Sequence, residues 1–244
     1  RPDATLRLTF FDVGDGDATL IQTPGGRWVL VDGGPGASVL TSALGQRLPL
    51  FNRTLDWVVI AASDDEHIGG LVGLLGQVNV GGVLAAGAPG KSGAYSQWMA
   101  KLAEAQIPVV TAEAGQVLDL GEGARLEVVS AGESGGVFRV SWQKASFLLP
   151  IGMDGETLER LLARQGLAPA YGLLLAGQGD VALNSEELIR VVNPGVAVLS
   201  QEAGAPPASP VLKRLEGRTV LRTDLNGWIE WASDGQRAWV TTER

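Results

Sequence analysis

A chain of 244 residues with 45% hydrophobic content is long enough to bury a sizeable core, as one large α/β domain or two small ones. It has no cysteine and one histidine, which removes disulfide frameworks, thiolate metal sites and a cysteine nucleophile. Its net charge of −8 has the wrong sign for gripping nucleic acid by neutralising phosphates, so any DNA contact is expected to be local.

The first half alternates strand-like and helix-like segments. Residues 6–11, 18–23 and 28–31 read as a meander of short antiparallel strands, punctuated by Pro24-Gly25-Gly26 and ending at Asp32-Gly33-Gly34. Helical spacing follows over 39–48, an apolar strand over 57–61, a short helix over 69–75, a strand over 83–86 and an amphipathic helix over 92–105. The second half repeats the theme, with strands at 125–129, 137–142 and 146–149, then a helix at 156–165. A strand at 172–175, a helix at 185–192, a strand at 196–199, a helix at 210–215 and strands at 219–221, 228–232 and 238–241 complete it. The Ala- and Pro-rich stretch 202–210 reads as a loop, not a domain linker. Two sheets with helices outside them is the simplest packing of this order. The opening Arg1-Pro2 brings no initiator methionine and no signal core, so the chain reads as a segment of a longer protein. No apolar run reaches the roughly 18 to 20 uninterrupted residues of a bilayer span.

Two loops collect acids and glycines at strand ends, where α/β proteins tend to place their sites. In Phe11-Asp12-Val13-Gly14-Asp15-Gly16-Asp17-Ala18 three carboxylates could bind a cation, or could hydrogen-bond the loop's own amides. In Ser63-Asp64-Asp65-Glu66-His67-Ile68-Gly69-Gly70 the acids precede a helix and can cap its free amides. His67 at the helix start can simply donate to a carbonyl, and Gly69-Gly70 permits close approach between helix and strand. Other chemistries fail on their residues. No Gly-x-Ser-x-Gly elbow accompanies the histidine, and Ala88-Pro89-Gly90-Lys91-Ser92 lacks the upstream glycine of a phosphate loop. Ser92 reads instead as a helix cap, and the seven tryptophans as core rather than base-stacking platforms.

Residues 62–70 resemble the metal-binding loop of the metallo-β-lactamase fold, His-x-His/Asp-x-Asp-His-x-Gly-Gly. Ala62 stands at the first His, Asp64 at His/Asp, Glu66 at Asp, and His67-Ile68-Gly69-Gly70 match the end. Residues 11–18 are similar to the opening of the C-terminal domain of the ComEC competence family. Leu30-Val31-Asp32-Gly33-Gly34 resembles that domain's second strand and turn, and residues 221–227 its terminal Arg-Thr-Asp-x-x-Gly. The resemblance implies a single domain over 1–244, an αββα sandwich of two mixed sheets with helices on the outer faces, and a place in DNA uptake across a membrane.

The departures matter equally. At the family's Leu-Leu-Thr-Gly-Asp strand end stands Leu148-Leu149-Pro150-Ile151-Gly152-Met153, so a methionine replaces the bridging acid. The His-His-Gly-Ser turn falls on Gly177-Gln178-Gly179-Asp180 and the late His-Pro on Ser209-Pro210. A catalytic zinc keeps three protein ligands and an open position, which one histidine and no cysteine do not furnish in the usual way. The expectation is therefore a non-catalytic domain with no resident metal. Asp12, Asp15, Asp64, Glu66, His67, Gln178 and Asp180 are its vestigial-site candidates, and scaffolding or weak contact with single-stranded DNA is its role. Its partner is expected to be the transmembrane channel of the same polypeptide, at the outer face of the cell membrane, and no small-molecule substrate is expected. The alternative is a nuclease or phosphodiesterase with a carboxylate site for magnesium or manganese, ions that suit hard oxygens better than zinc does.

Overall fold

A computed structural model describes residues 3–49, 53–205 and 209–244. Its frame is two mixed sheets. In the eight-stranded one, Ala238–Thr242, Ile229–Ser233, Leu6–Phe10, Thr19–Gln22 and Trp28–Val31 run antiparallel in that order. Trp57–Ile60, Val83–Ala85 and Val109–Thr111 then extend it in parallel. The seven-stranded sheet has the same plan. Val117–Gly121, Ala124–Gly132, Gly135–Trp142 and Ala145–Leu149 form a meander, followed in parallel by Gly172–Leu174, Val196–Leu199 and Thr219–Arg222.

Side-chain alternation decides the layers. Val29, Val31 and Val59 of the first sheet face Phe138, Phe147, Leu149 and Val198 of the second across one core. Their neighbours in sequence, Leu30, Val58 and Ile60, point the other way, onto Leu40, Leu44, Trp98 and Leu102 of helices Ala37–Arg47 and Gly93–Glu104. On the far side Leu148, Leu173, Ala197 and Leu199 pack on Leu158, Leu161, Leu188 and Ile189 of helices Gly155–Ala163 and Glu186–Val192. Strands buried on both faces read as unbroken apolar runs, and the result is the αββα sandwich expected. Among the described residues no helix is long and apolar enough to cross a membrane.

Three helices start on polar side chains: Ser92, the cap expected, accepts from Tyr95 N (3.1 Å), Asp154 from Thr157 N (2.8 Å) and Ser185 from Leu188 N (3.2 Å). Other boundaries moved. The strand expected at 125–129 runs to Gly132, because a register shift between Val128 and Ser130 breaks the alternation without ending the ladder. The helix expected over 69–75 is a single α turn, Asp65–Ile68, continued by a 3₁₀ segment, Gly69–Gly73. Edge strands Val109–Thr111 and Val117–Gly121 escape sequence reading because Val109, Val110 and Val117 are exposed. Of the tryptophans, Trp98, Trp142 and Trp231 are core, whereas Trp239 is exposed on the outermost strand. The loop expected over 202–210 lies partly outside the described residues, at 206–208.

Candidate functional site

The strand Trp57–Ile60 delivers the chain to Asp64, whose extended backbone and side chain start the helix turn Asp65–Ile68. Asp64 Oδ1 accepts from Glu66 N at 3.1 Å, the capping role its position suggests. One turn on, His67 hangs over its own cap, with Nδ1 2.6 Å from Asp64 Oδ1. Its other ring nitrogen, Nε2, lies 3.5 Å from Oδ2 of Asp17, a buried residue of the loop 11–18. The partners of His67 are thus carboxylates and not the carbonyl expected of a lone helix-start histidine.

Glycines bring these pieces together. Gly16, at φ +91°, passes so close to the turn that a Cβ there would lie 2.0 Å from Glu66 O. Gly70 approaches the 32–34 turn just as closely, a Cβ on it falling 1.9 Å from Gly33 O, and Gly33 N donates to His67 O at 2.7 Å. Beneath lies Asp32, fully buried at φ +53°, with Oδ1 accepting from Ala61 N at 2.7 Å. Its Oδ2 has no hydrogen-bond partner among the described residues.

The electrostatics follow from this geometry. Burial pushes the Asp32 carboxyl up to about 8, against the opposing pull of the His67 charge. Burial disfavours a charged His67, but hydrogen bonds to Asp17 and Asp64 and the charges of Asp32 and Asp17 outweigh it and raise the imidazole to about 11. Asp64 is held below its ordinary value, burial being outweighed by the His67 contact. At neutral pH His67 is an imidazolium that offers both N–H groups to carboxylates.

The remaining candidates divide. Gln178, left-handed like Gly177 before it, donates its amide to Asp15 Oδ1. Asp15 in turn acts with burial and Asp64 to raise Glu66, so Asp15, Glu66 and Gln178 form a polar rim beside the His67 cluster. Asp180 does not join: its Oδ1 accepts from Ala182 N and Leu183 N at 2.8 and 2.9 Å, closing the local turn. Asp12 lies apart as well, 3.5 Å from Arg244 Nη2 and lining a groove with Arg47 and Trp228. Met153 is buried among Val137, Leu148 and Leu158, while Asp154 beside it is a helix cap taking the Ser134 hydroxyl. Sequence reasoning did not single out Asp17, one of the three carboxylates of the 11–18 loop, or Asp32, read as part of a turn, as site residues. The further signal for Asp32 was a carboxylate closing the apolar run Trp28-Val29-Leu30-Val31.

A metal at this position would require His67 to be neutral and to present a ring lone pair. Both ring nitrogens instead face carboxylates, and Asp64 Oδ1 is shared between His67 and Glu66 N. Among the described residues no three His, Asp or Glu side chains are grouped so as to hold an ion. As arranged, these side chains do not fit a catalytic zinc or a metal pair.

Comparison with known proteins places the architecture. No curated protein matches the chain. Among solved structures it is similar to a mutant of the β-hydroxylase CmlA, the Streptomyces venezuelae diiron enzyme, with TM-score 0.62 and 15% identity, covering 96% of this chain and 54% of that one. The chain thus spans about half the length of CmlA. It is also similar to the metallo-β-lactamase fold protein YhfI from Bacillus subtilis (TM-score 0.60, 12% identity, 96% and 100% covered). The third is Zn²⁺-bound PqqB from Methylobacterium extorquens (TM-score 0.55, 16% identity, 84% of each chain covered). At these identities the likeness is one of fold. A family model described as the metallo-beta-lactamase superfamily matches residues 11–201, most of the sandwich and the whole His67 cluster, and the chain belongs to that superfamily.

Proposed function

We propose that this chain is a metal-free member of its superfamily, in which a protonated histidine supplies the positive charge that a metal supplies elsewhere, and that it works as a non-catalytic domain. The observation that carries this reading is the double engagement of His67 by Asp64 and Asp17. Solved neighbours include a diiron enzyme and a Zn²⁺-bound protein, and neither state suits this donor arrangement. The motifs at 11–18, 30–34 and 221–227 support placement in a ComEC-type DNA-uptake protein, as one folded unit beside a transmembrane channel of the same polypeptide at the outer face of the cell membrane. There it would act as a scaffold or as a weak contact for single-stranded DNA, since the acidic balance opposes strong binding.

A second reading draws on the acidic rim, where Asp15 and Asp64 both raise Glu66 as crowded carboxylates do. Such a rim could take magnesium or manganese in a nuclease or phosphodiesterase. Calorimetric titration with zinc, manganese and magnesium, together with a single-stranded DNA cleavage assay in manganese, separates the two. Silence in both supports the metal-free reading, and stoichiometric binding or turnover lost in Asp64→Ala overturns it. The coding sequence upstream of Arg1 tests the channel assignment, which fails if it encodes no membrane spans.

A further inference from the structure

Two hairpin turns from different sheets meet at one end of the sandwich. Lys144, in the turn between Gly135–Trp142 and Ala145–Leu149, donates its backbone N–H to Gly235 O at 3.2 Å. Gly235 lies in the turn between Ile229–Ser233 and Ala238–Thr242, and Gln236 Nε2 reaches Gln143 Oε1 at 3.2 Å. Between these turns and Tyr171 opens a groove of about 360 Å³. Tyr171 and Lys144 precede the parallel strands Gly172–Leu174 and Ala145–Leu149, whereas Gln178, which meets Asp15, follows the first of them. The groove is therefore at the opposite end of the sandwich from the His67 cluster.

Its lining is chemically specific. Tyr171 is half exposed, and its ring lies over Gly195, where a Cβ would come within 3.3 Å of it. Trp231 forms the floor, its ring 6.3 Å from that of Tyr171 and edge-on to Phe147 at 5.4 Å. Trp231 is wholly buried, and its indole N–H, buried with it, has no acceptor among the described residues. Two cations stand at the rim. Neither the Lys144 ammonium nor the Arg237 guanidinium makes a hydrogen bond or ion pair within 4.0 Å among the described residues, and both residues are exposed. The nearby carboxylate, Asp234, accepts from the amides of Gln236 and Arg237 at 2.8 and 2.7 Å and also feels the Arg237 charge.

We propose that this groove is a binding site for a small aromatic anion, the ring stacking on Tyr171 above Trp231 and the anionic group held by Lys144 and Arg237. The volume falls in the range of small-molecule sites, roughly 300–1,000 Å³. Two exposed cations at one rim of a protein of net charge −8 give local complementarity to an anion that the surface as a whole repels. A phosphate or a carboxylate satisfies the same two cations, and Arg237 can grip either with two parallel N–H groups.

The test is calorimetric titration of the 244-residue chain with AMP, indole-3-acetate, adenosine and inorganic phosphate. Saturable binding of AMP, of indole-3-acetate or of both is expected, the pattern telling phosphate from carboxylate, with adenosine and phosphate each at least about tenfold weaker. Tyr171→Ala and Arg237→Ala should each weaken binding by about tenfold and Tyr171→Phe should leave it nearly intact, with cooperative thermal unfolding retained in each variant. Absence of saturable binding by either aromatic anion overturns the proposal. So does binding that both alanine variants leave unaltered, or phosphate alone binding as well as AMP.

Discussion

The imidazole of His67 sits 2.6 Å from the carboxylate of Asp64, the residue that caps its own helix turn, and 3.5 Å from Asp17 on its other side. A cap, a cation and a buried acid from a distant loop are thus one electrostatic unit, and its pH response is predictable in sign. The folded-state value of about 11 for His67 lies above the ordinary 6.5, so its contribution is complete below pH 6.5 and is lost as pH rises towards 11. Asp32, raised from 3.8 to about 8, acts in the same direction over a lower window. The urea midpoint should therefore fall steadily from about pH 6 to pH 10, and His67→Gln should start lower and lose the part above about pH 8. Nitrogen chemical shifts of the imidazole report the charge directly, and a titration near 6.5 would sink this account.

Much of this frame is written in the residues. Runs such as Trp57-Val58-Val59-Ile60 are apolar throughout because both faces of the strand are covered, and Ser92, Asp154 and Ser185 mark helix starts by their chemistry. The convergence of acids on His67 is not. Asp12, Asp15 and Asp17 lie within six residues, yet Asp12 faces Arg244, Asp15 faces Gln178 and Asp17 faces His67. What separates them is the positive φ of Gly14 and Gly16, a loop conformation with no period to read. Asp180 is the reverse case: its residue type suggested a site, and its side chain is consumed by two amides of its own turn.

Gly16 tests how tightly that loop must pack. Gly14→Ala and Gly16→Ala share a positive φ, of 82° and 91°, and so a similar conformational strain of about 1–3 kcal/mol. They differ in surroundings: nothing lies within 4 Å of a Cβ on Gly14, whereas one on Gly16 meets Glu66 O at 2.0 Å. Gly16→Ala should therefore destabilise clearly more than Gly14→Ala in urea unfolding, and should also lower the imidazole pKa by withdrawing Asp17. Equal effects would mean that the loop yields freely.

Asn184 offers a prediction about the rim. It is fully buried, its Oδ1 accepting from Ala176 N at 3.0 Å and its Nδ2 donating to Ala176 O and Asp180 O at 2.8 and 2.7 Å. These bonds hold the ends of the segment in which Gln178 is left-handed. Asn184→Ala leaves buried backbone groups unpaired and should cost about 1–3 kcal/mol, with faster amide exchange over 176–184. Exchange unaltered there would show that Gln178 is held by other contacts.

Met153, where the metallo-β-lactamase resemblance places an acid, tests the metal-free reading. Its side chain is packed among Val137, Leu148 and Leu158, so Met153→Asp places an uncompensated carboxylate in an apolar cluster, while Met153→Leu conserves volume. The first should destabilise by several kcal/mol, or raise the new carboxyl's pKa to neutralise it, and the second should cost less than about 1.5 kcal/mol. Zinc discriminates further. With His67 locked between two carboxylates, adding an acid supplies one ligand and frees no lone pair, so zinc should leave the melting temperature of Met153→Asp unchanged. A metal that restored it would mean that the imidazolium gives up its proton on demand, and that a single substitution separates this chain from a loaded site.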